Sequence, residues 1–473
     1  MRLKQKPYLF SPALPAAVLL FGMVFFLAIA QFAGLQWHSS FTITLYGGLF
    51  AWVAVLAWNQ RSYWASIGVI DILFGAFVLW VLISLLIQGT PEQAAWRYGR
   101  FLPFLVVLPY VCGRLMQVMA VRVFSRIVAS AGIVMLILLV IDYWQRLASL
   151  EVYSRWPFFG FDFALLLIAM LLAASLIILT FFFLTGTGKN FKHLSLRQGL
   201  GLVILGLISA AMVAVAARGA LLAGLMGVFC VVLIVRHWSL SKKMQFLLYL
   251  AVMMSSTYLL LPKPQTQVFV NLATMPDILV STSEYSARQR DPTSSAWIPP
   301  NRSWNPTTRV WDPVKRTSKP ILGTESCRAI DRGINSLAIR WTLYQEAGAI
   351  FMKSPLWGVG AASFGRYSCV GEMGFPHSTI LQSFAELGVV GGLLYCGLLI
   401  TALLNLIRRA FISATKPSDV AAQLSLSLFA MYLLVDQLYG NYFMAVGSYF
   451  LIGVAACMRS NPAWNDAPEA NNV

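Results

Sequence analysis

The chain has 473 residues, of which 58% are hydrophobic and only 11% charged, and its mean hydropathy is +0.71. These values exclude an ordinary soluble enzyme and a disordered chain, and they fit an integral membrane protein. A net charge of +17 does not call for nucleic acid, because basic residues beside membrane spans set orientation.

Apolar runs of spanning length occur at 12–33, 41–58, 67–88, 101–119, 123–146, 163–185, 198–217, 219–237, 244–261, 380–404, 421–438 and 440–458. A helix needs about 20 residues to cross the hydrocarbon. Only helices and closed barrels satisfy the backbone in lipid, and these runs are too long and uniformly apolar for barrel strands. The fold class expected is therefore an all-α polytopic membrane protein of about twelve spans. The shortest links fall at 120–122, 218 and 439.

Charge alternation orients this arrangement. With Arg2, Lys4 and Lys6 in the cytoplasm, Arg61, Arg114/Arg122/Arg126, Lys189/Lys192/Arg197, Arg236/Lys242/Lys243, Arg408/Arg409/Lys416 and Arg459 all fall on the same side. Both termini are then cytoplasmic. The N-terminus, with its basic residues, apolar run and "AIA" at 28–30, is similar to a secretory signal peptide. Eleven further spans already direct insertion, so a retained first helix is expected. The resulting division is 1–261 (N-terminal spans), 262–379 (a large outer loop containing helical structure), 380–458 (C-terminal spans) and 459–473 (a cytoplasmic tail).

Within the loop, 281–320 is rich in Pro, Ser, Thr and Arg and shows neither helical nor strand period. An irregular lid is expected there. Trp297, Trp304 and Trp311 recur every seven residues, but the intervening prolines exclude a heptad helix. Two readings stand for them: stacking on sugars, or anchoring at the headgroup level. A helix follows over "SLAIRWTLYQEAGAIFMKSP", capped by Asn335 or Ser336, with Arg340 and Tyr344 one turn apart. Pro355 ends it, and "PLWGVGAASFG" predicts a turn at Gly358 and Gly360. That glycine pair lacks the preceding strand and third glycine of a dinucleotide fingerprint.

Cys112, Cys230, Cys396 and Cys457 lie in or beside spans and read as small apolar residues. Cys327 and Cys369 share the outer loop, where oxidising conditions favour a disulfide. Acidic residues in the loop are scattered and form no close pair, so no metal site and no cofactor are expected. Thirteen basic residues at 262–379 can hold an anion directly. Arg218, in "AVAARGALLAG", sits between two apolar spans at their outer edge, where either a lipid headgroup or a substrate phosphate can pair with it. Arg97 and Arg100, in "WRYGRF" on the same face, are secondary candidates beside Tyr344. Pro376 before the tenth span places His377 near a helix N-terminus, whose positive end favours a neutral imidazole. From the residues alone, His377 reads as either a packing histidine at the interface or a base. Glu386 lies about half a helical rotation and 13.5 Å away along an ideal helix, which disfavours it as an orienting partner.

From "RWTLYQEAGAIFMKSPLWGVGAASFG" through "PHSTILQSFAELGVVGGLLY", the chain resembles the O-antigen ligase and polymerase superfamily. That family pairs an arginine-bearing helix, PL-x-G-x-G and His-(Asn/Ser)…Glu-x-Gly with a long outer loop. Ser378 stands where the motif commonly has asparagine. The resemblance implies a glycosyltransferase of the bacterial (Gram-negative) inner membrane with GT-C-type architecture and its active site on the periplasmic side. It implies a glycan donor on undecaprenyl pyrophosphate and a lipid A–core acceptor, with His377 as general base and Arg218 and Arg340 on the pyrophosphate. An O-antigen polymerase or a protein O-oligosaccharyltransferase would share that donor. A polyprenyl-glycan transporter is the alternative of another class.

Overall fold

The computed structural model describes residues 13–32, 39–59, 67–87, 102–149, 164–186, 196–215, 217–236, 238–261, 302–305, 310–313, 336–369, 375–412 and 417–460. Its helices are α1 (Ala13–Phe32), α2 (Ser39–Asn59), α3 (Val69–Ile87), α4 (Leu108–Arg114, entered through a π-helical turn at Leu102–Val107), α5 (Val118–Ser149), α6 (Ala164–Gly186), α7 (Leu196–Ala214), α8 (Arg218–Ile234) and α9 (Leu240–Leu260). After the loop come α10 (Ser336–Lys353), the single turn α11 (Phe364–Tyr367), α12 (Thr379–Ile412), α13 (Pro417–Leu438) and α14 (Val446–Ser460). Each apolar run read from the sequence falls on a helix. Five stretches, in α3, α5, α6, α12 and α13, are long and apolar enough to cross a membrane, and several shorter helices are equally apolar. The protein is a helical membrane protein.

The links differ in detail from expectation. The break before α5 falls at Leu115–Gln117, because the backbone N–H groups of Leu115 and Met116 turn back to the carbonyls of Val111 and Gly113. The last link runs from Tyr439 to Ala445 instead of a single residue. In the loop, strands β1 (Arg302–Asn305) and β2 (Val310–Pro313) pair antiparallel, with Trp304 opposite Trp311. A hairpin thus stands in part of the segment expected to be irregular. The seven-residue tryptophan spacing, read without a partner strand, places two of the three directly across from each other.

Two buried clusters share α13 as a wall. Ala421, Ala422, Leu426 and Phe429 face the cluster built on α1–α4, α12 and α14, while Leu424, Met431 and Val435 face that of α5–α9. Lipid supplies no hydrophobic drive between helices, so close backbone approach matters more. At α4 and α14 a Cβ on Gly113 would sit 1.9 Å from the Phe450 carbonyl oxygen, and one on Gly453 2.1 Å from that of Tyr110. Arg114, counted from sequence among the orientation charges, packs inside the protein. It is fully buried, its Nε 2.9 Å from Asp71 Oδ1, and the Tyr110 hydroxyl donates to the same oxygen at 2.6 Å. A buried charge needs such a partner; Arg122 (half-buried) and Arg126 (exposed) remain at that end of α5.

Candidate functional site

The site lies where α8, α10 and α12 meet the α13–α14 link. Ser378 caps α12: its Oγ accepts the Leu381 N–H at 3.3 Å and its carbonyl accepts that of Gln382 at 2.9 Å. His377 therefore stands just outside the helix, and its backbone is left-handed with φ 57°. A non-glycine residue there costs about 1–2 kcal/mol, so the neighbours must hold it. Gln437 does so from the end of α13. Its Oε1 accepts from Ser378 Oγ at 2.7 Å and from the Ile380 N–H at 3.4 Å, and its Nε2 donates to Thr379 Oγ1 at 2.8 Å. The Gln437 carbonyl accepts the Tyr344 hydroxyl at 3.1 Å, joining α10 to the same point.

Tyr439 is the hub. The Arg340 guanidinium carbon lies 4.8 Å from its ring centroid. Its hydroxyl oxygen accepts the Gly219 N–H at 2.9 Å, one residue beyond Arg218 at the first position of α8. Its backbone hydrogen-bonds the His377 ring. Arg340, His377 and the start of α8, where Arg218 stands, thus meet at one tyrosine, although up to 159 positions separate them in sequence. The His377 ring packs edge-on to Phe375 at 4.8 Å. Its Nδ1 is buried and makes no hydrogen bond among the described residues.

Burial, and then the Arg340 charge, lower the His377 pKa from 6.5 to about 4, against the raising effect of the Tyr439 backbone bond. The direction agrees with the neutral imidazole expected from sequence, while the causes found are burial and Arg340.

Glu386 does not orient His377. Fully buried, it accepts the Ala362 N–H at 2.8 Å on Oε2, that of Phe364 at 3.0 Å on Oε1, and the Tyr442 hydroxyl at 2.8 Å. It holds the chain that follows "PLWGVG". That turn crosses α12 at a break: Gly388 has φ 67° and Gly358 φ 75°. A Cβ on either would come within 2.3 Å of the other segment's backbone. The N–H of Gly360 bonds the Glu386 carbonyl at 2.9 Å, and that of Val389 the Pro355 carbonyl at 2.7 Å. The two glycine-bearing motifs are therefore one interlock. Higher on α10, buried Glu346 accepts from Ser368 Oγ and, at 2.9 Å, from the Cys369 N–H. Burial raises its pKa against those two bonds. Residues 202–396 match the O-antigen ligase family model. This finding bears out the resemblance carried by the motifs. The matched stretch includes Arg218, Arg340 and His377 and ends before Gln437 and Tyr439. No curated protein matches the chain.

Cys369 is disulfide-bonded, and Cys112, Cys230, Cys396 and Cys457 are free. Arg97, Arg100 and Cys327 lie outside the described residues. Sequence reasoning missed Gln437 and Tyr439. Their signal was the polar interruption "DQLYGN" between two apolar runs, which read only as a short link.

Proposed function

We propose that the protein is an O-antigen ligase that moves a glycan from undecaprenyl pyrophosphate to a hydroxyl of lipid A–core at the outer face of the Gram-negative inner membrane. In this reading the chain crosses twelve times with both termini cytoplasmic, in a GT-C-type arrangement, and Cys327 pairs with Cys369. One observation carries the chemistry: Arg340, His377 and the backbone beside Arg218 meet at Tyr439, with the histidine held neutral by burial and by Arg340.

His377 takes the proton of the acceptor hydroxyl as that oxygen bonds the anomeric carbon. The bond from carbon to pyrophosphate breaks, and its electrons leave on undecaprenyl pyrophosphate. Arg218 and Arg340 neutralise that leaving group by charge-assisted contacts. Attack opposite the leaving group inverts the anomeric centre. A pKa of about 4 makes His377 a poor base before the donor arrives, since general bases work best near the operating pH. The donor's pyrophosphate offsets the Arg340 charge and raises the ring's basicity, so transfer is armed by donor binding. No metal enters this scheme.

Reconstitution of the purified protein with lipid-linked glycan and purified acceptors tests the reading. Glycan joined to lipid A–core supports the ligase. Glycan joined instead to a second lipid-linked glycan, or to protein, replaces it with a polymerase or an oligosaccharyltransferase. Donor that only crosses the bilayer replaces it with a transporter.

A further inference from the structure

The stretch 336–369 belongs by sequence to the aqueous loop, yet its packing follows α12 inward. Arg340 acts on His377, before the first residue of α12. One turn on, Tyr344 reaches Gln437; Phe351 meets Phe384 edge to face at 5.9 Å; the Pro355 carbonyl bonds Val389. Beyond the Gly358 turn the chain climbs back. The Ala361 N–H donates to Ser84 Oγ at 2.8 Å, and Ser368 and Cys369 bond Glu346 of α10. This is a re-entrant hairpin, with α10 descending and 358–369 returning.

Its tip packs against the interior of α3 and α12. Trp357 stacks on Trp80, with ring centroids 5.3 Å apart and planes 19° apart, and the Trp80 indole donates to the Leu387 carbonyl at 3.0 Å. Trp80 lies seven residues, about 10 Å at 1.5 Å per residue, inside the end of α3. With 19 residues, α3 is only just long enough to span the core. The exposed stripe of α10 runs Trp341, Gln345, Gly348, Met352 and carries no charge, unlike the outer face of a helix in water. At the tip Met352 is 73% exposed, Leu356 63% and Trp357 57%. These residues continue the exposed apolar belt of α3 and α12, Leu79, Leu82, Leu86, Val390 and Leu393. Lys353, the one charge there, turns back so that its ammonium lies 4.2 Å from the Tyr367 ring centroid on the returning arm, as a snorkelling lysine does.

We infer that the 336–369 hairpin is a re-entrant membrane element whose tip, Met352, Leu356 and Trp357, is solvated by acyl chains of the leaflet on the site side. Continuity with the lipid-facing belt identifies acyl chains as the occupant. The inference rests on the membrane placement of α3 and α12, not on the reaction proposed above. Its consequence is that Arg340 and His377 stand at the headgroup level, where a lipid-linked pyrophosphate lies.

The test is collision-accessibility spin labelling of the full-length protein in phospholipid vesicles without donor, with the four free cysteines replaced by alanine. Met352→Cys and Leu356→Cys are labelled separately, so one misfolded variant leaves the other. Leu393→Cys on α12 serves as the lipid standard and Arg366→Cys on α11 as the aqueous one. The expected result is that both tip labels behave like position 393: strongly broadened by oxygen, and several-fold less broadened by a water-soluble nickel chelate than position 366. Tip labels as open to the chelate as position 366, with 393 in lipid, overturn the inference alone. Shielding of the tip from both agents also overturns it and points to a covering protein segment or a second copy. If 393 itself is open to the chelate, the membrane placement fails and the inference with it.

Discussion

His377 owes its chemistry to what surrounds it. An isolated imidazole titrates near 6.5, but here burial and Arg340 bring it to about 4. Folding thus disfavours the protonated ring, and the native state binds fewer protons than the unfolded chain below pH 6.5. This contribution to stability is full above that value and is lost as pH falls toward 4. For transfer, kcat/KM reports groups of the free enzyme, so its acid limb is expected well below 6.5. Arg340→Gln removes the second cause and leaves burial, so the midpoint should move up while staying below 6.5 and the plateau falls. A midpoint unchanged in that variant would remove Arg340 from the account. His377→Gln should lack transfer at every pH, with donor binding retained. Arg340 and His377 were legible in their motifs, and Arg218 in its place between two apolar spans. The sequence was silent on Tyr439, because a tyrosine at the end of an apolar run looks like any interfacial aromatic until α8 and α10 are folded onto it.

At the scale of elements, the interlock of "PLWGVG" with the break in α12 fixes the hairpin behind the site. Gly388→Ala would place a Cβ 2.3 Å from the Leu356 carbonyl oxygen at φ 67°. Backbone strain of about 1–2 kcal/mol adds to overpacking of about 1–3 kcal/mol. A clear drop in the thermal denaturation midpoint in detergent is expected. Gly348→Ala, on the open face of α10 with nothing within 4 Å, should leave the midpoint unchanged or slightly raised, since alanine favours helix by about 0.5–1 kcal/mol. Equal effects at the two positions would contradict the interlock. The returning arm is held a second time at Cys369. Alkylation without reductant should leave Cys327 and Cys369 both blocked, and reduction should loosen the Glu346 contacts and cut transfer. Two readily alkylated thiols would refute the pairing. The helices were legible because apolar runs declare themselves by length alone. The break at Gly388 was not, since glycine inside an apolar run marks close packing as often as a reversal. The reach of Glu386 was equally hidden, because helical geometry within α12 says nothing about a loop packed beside it.

For the whole molecule, the two ends of the bundle differ in kind. One end gathers Arg218, Arg340, His377 and Tyr439 around half-buried polar groups. At the other, Arg114 is neutralised by Asp71, while Arg236 rests against Phe411, its guanidinium carbon 5.6 Å from the ring and its Nη2 donating to the Phe411 carbonyl at 3.1 Å. Burying Arg114 weakens one of the charges that orient the chain, yet Arg122, Arg126, Arg236 and the Arg408/Arg409 pair still put the excess at that end. A bilayer holds such an excess on its cytoplasmic side, so the orientation proposed here puts the site end outward. Cysteines introduced at positions 300 and 366, in the background lacking the four free thiols, should react with a membrane-impermeant maleimide in intact spheroplasts. One introduced at 413, beyond α12 at the opposite end, should react only after permeabilisation. The reverse pattern would place the site in the cytoplasm and would overturn the ligase reading, which sets the reaction at the outer face, together with the orientation. Reaction at 366 but not at 300 would leave the orientation intact, because a site-end residue would still be open to the outside. It would show that the tryptophan hairpin is covered by membrane or protein, which separates anchoring of Trp304 and Trp311 from their use as an open platform for sugars.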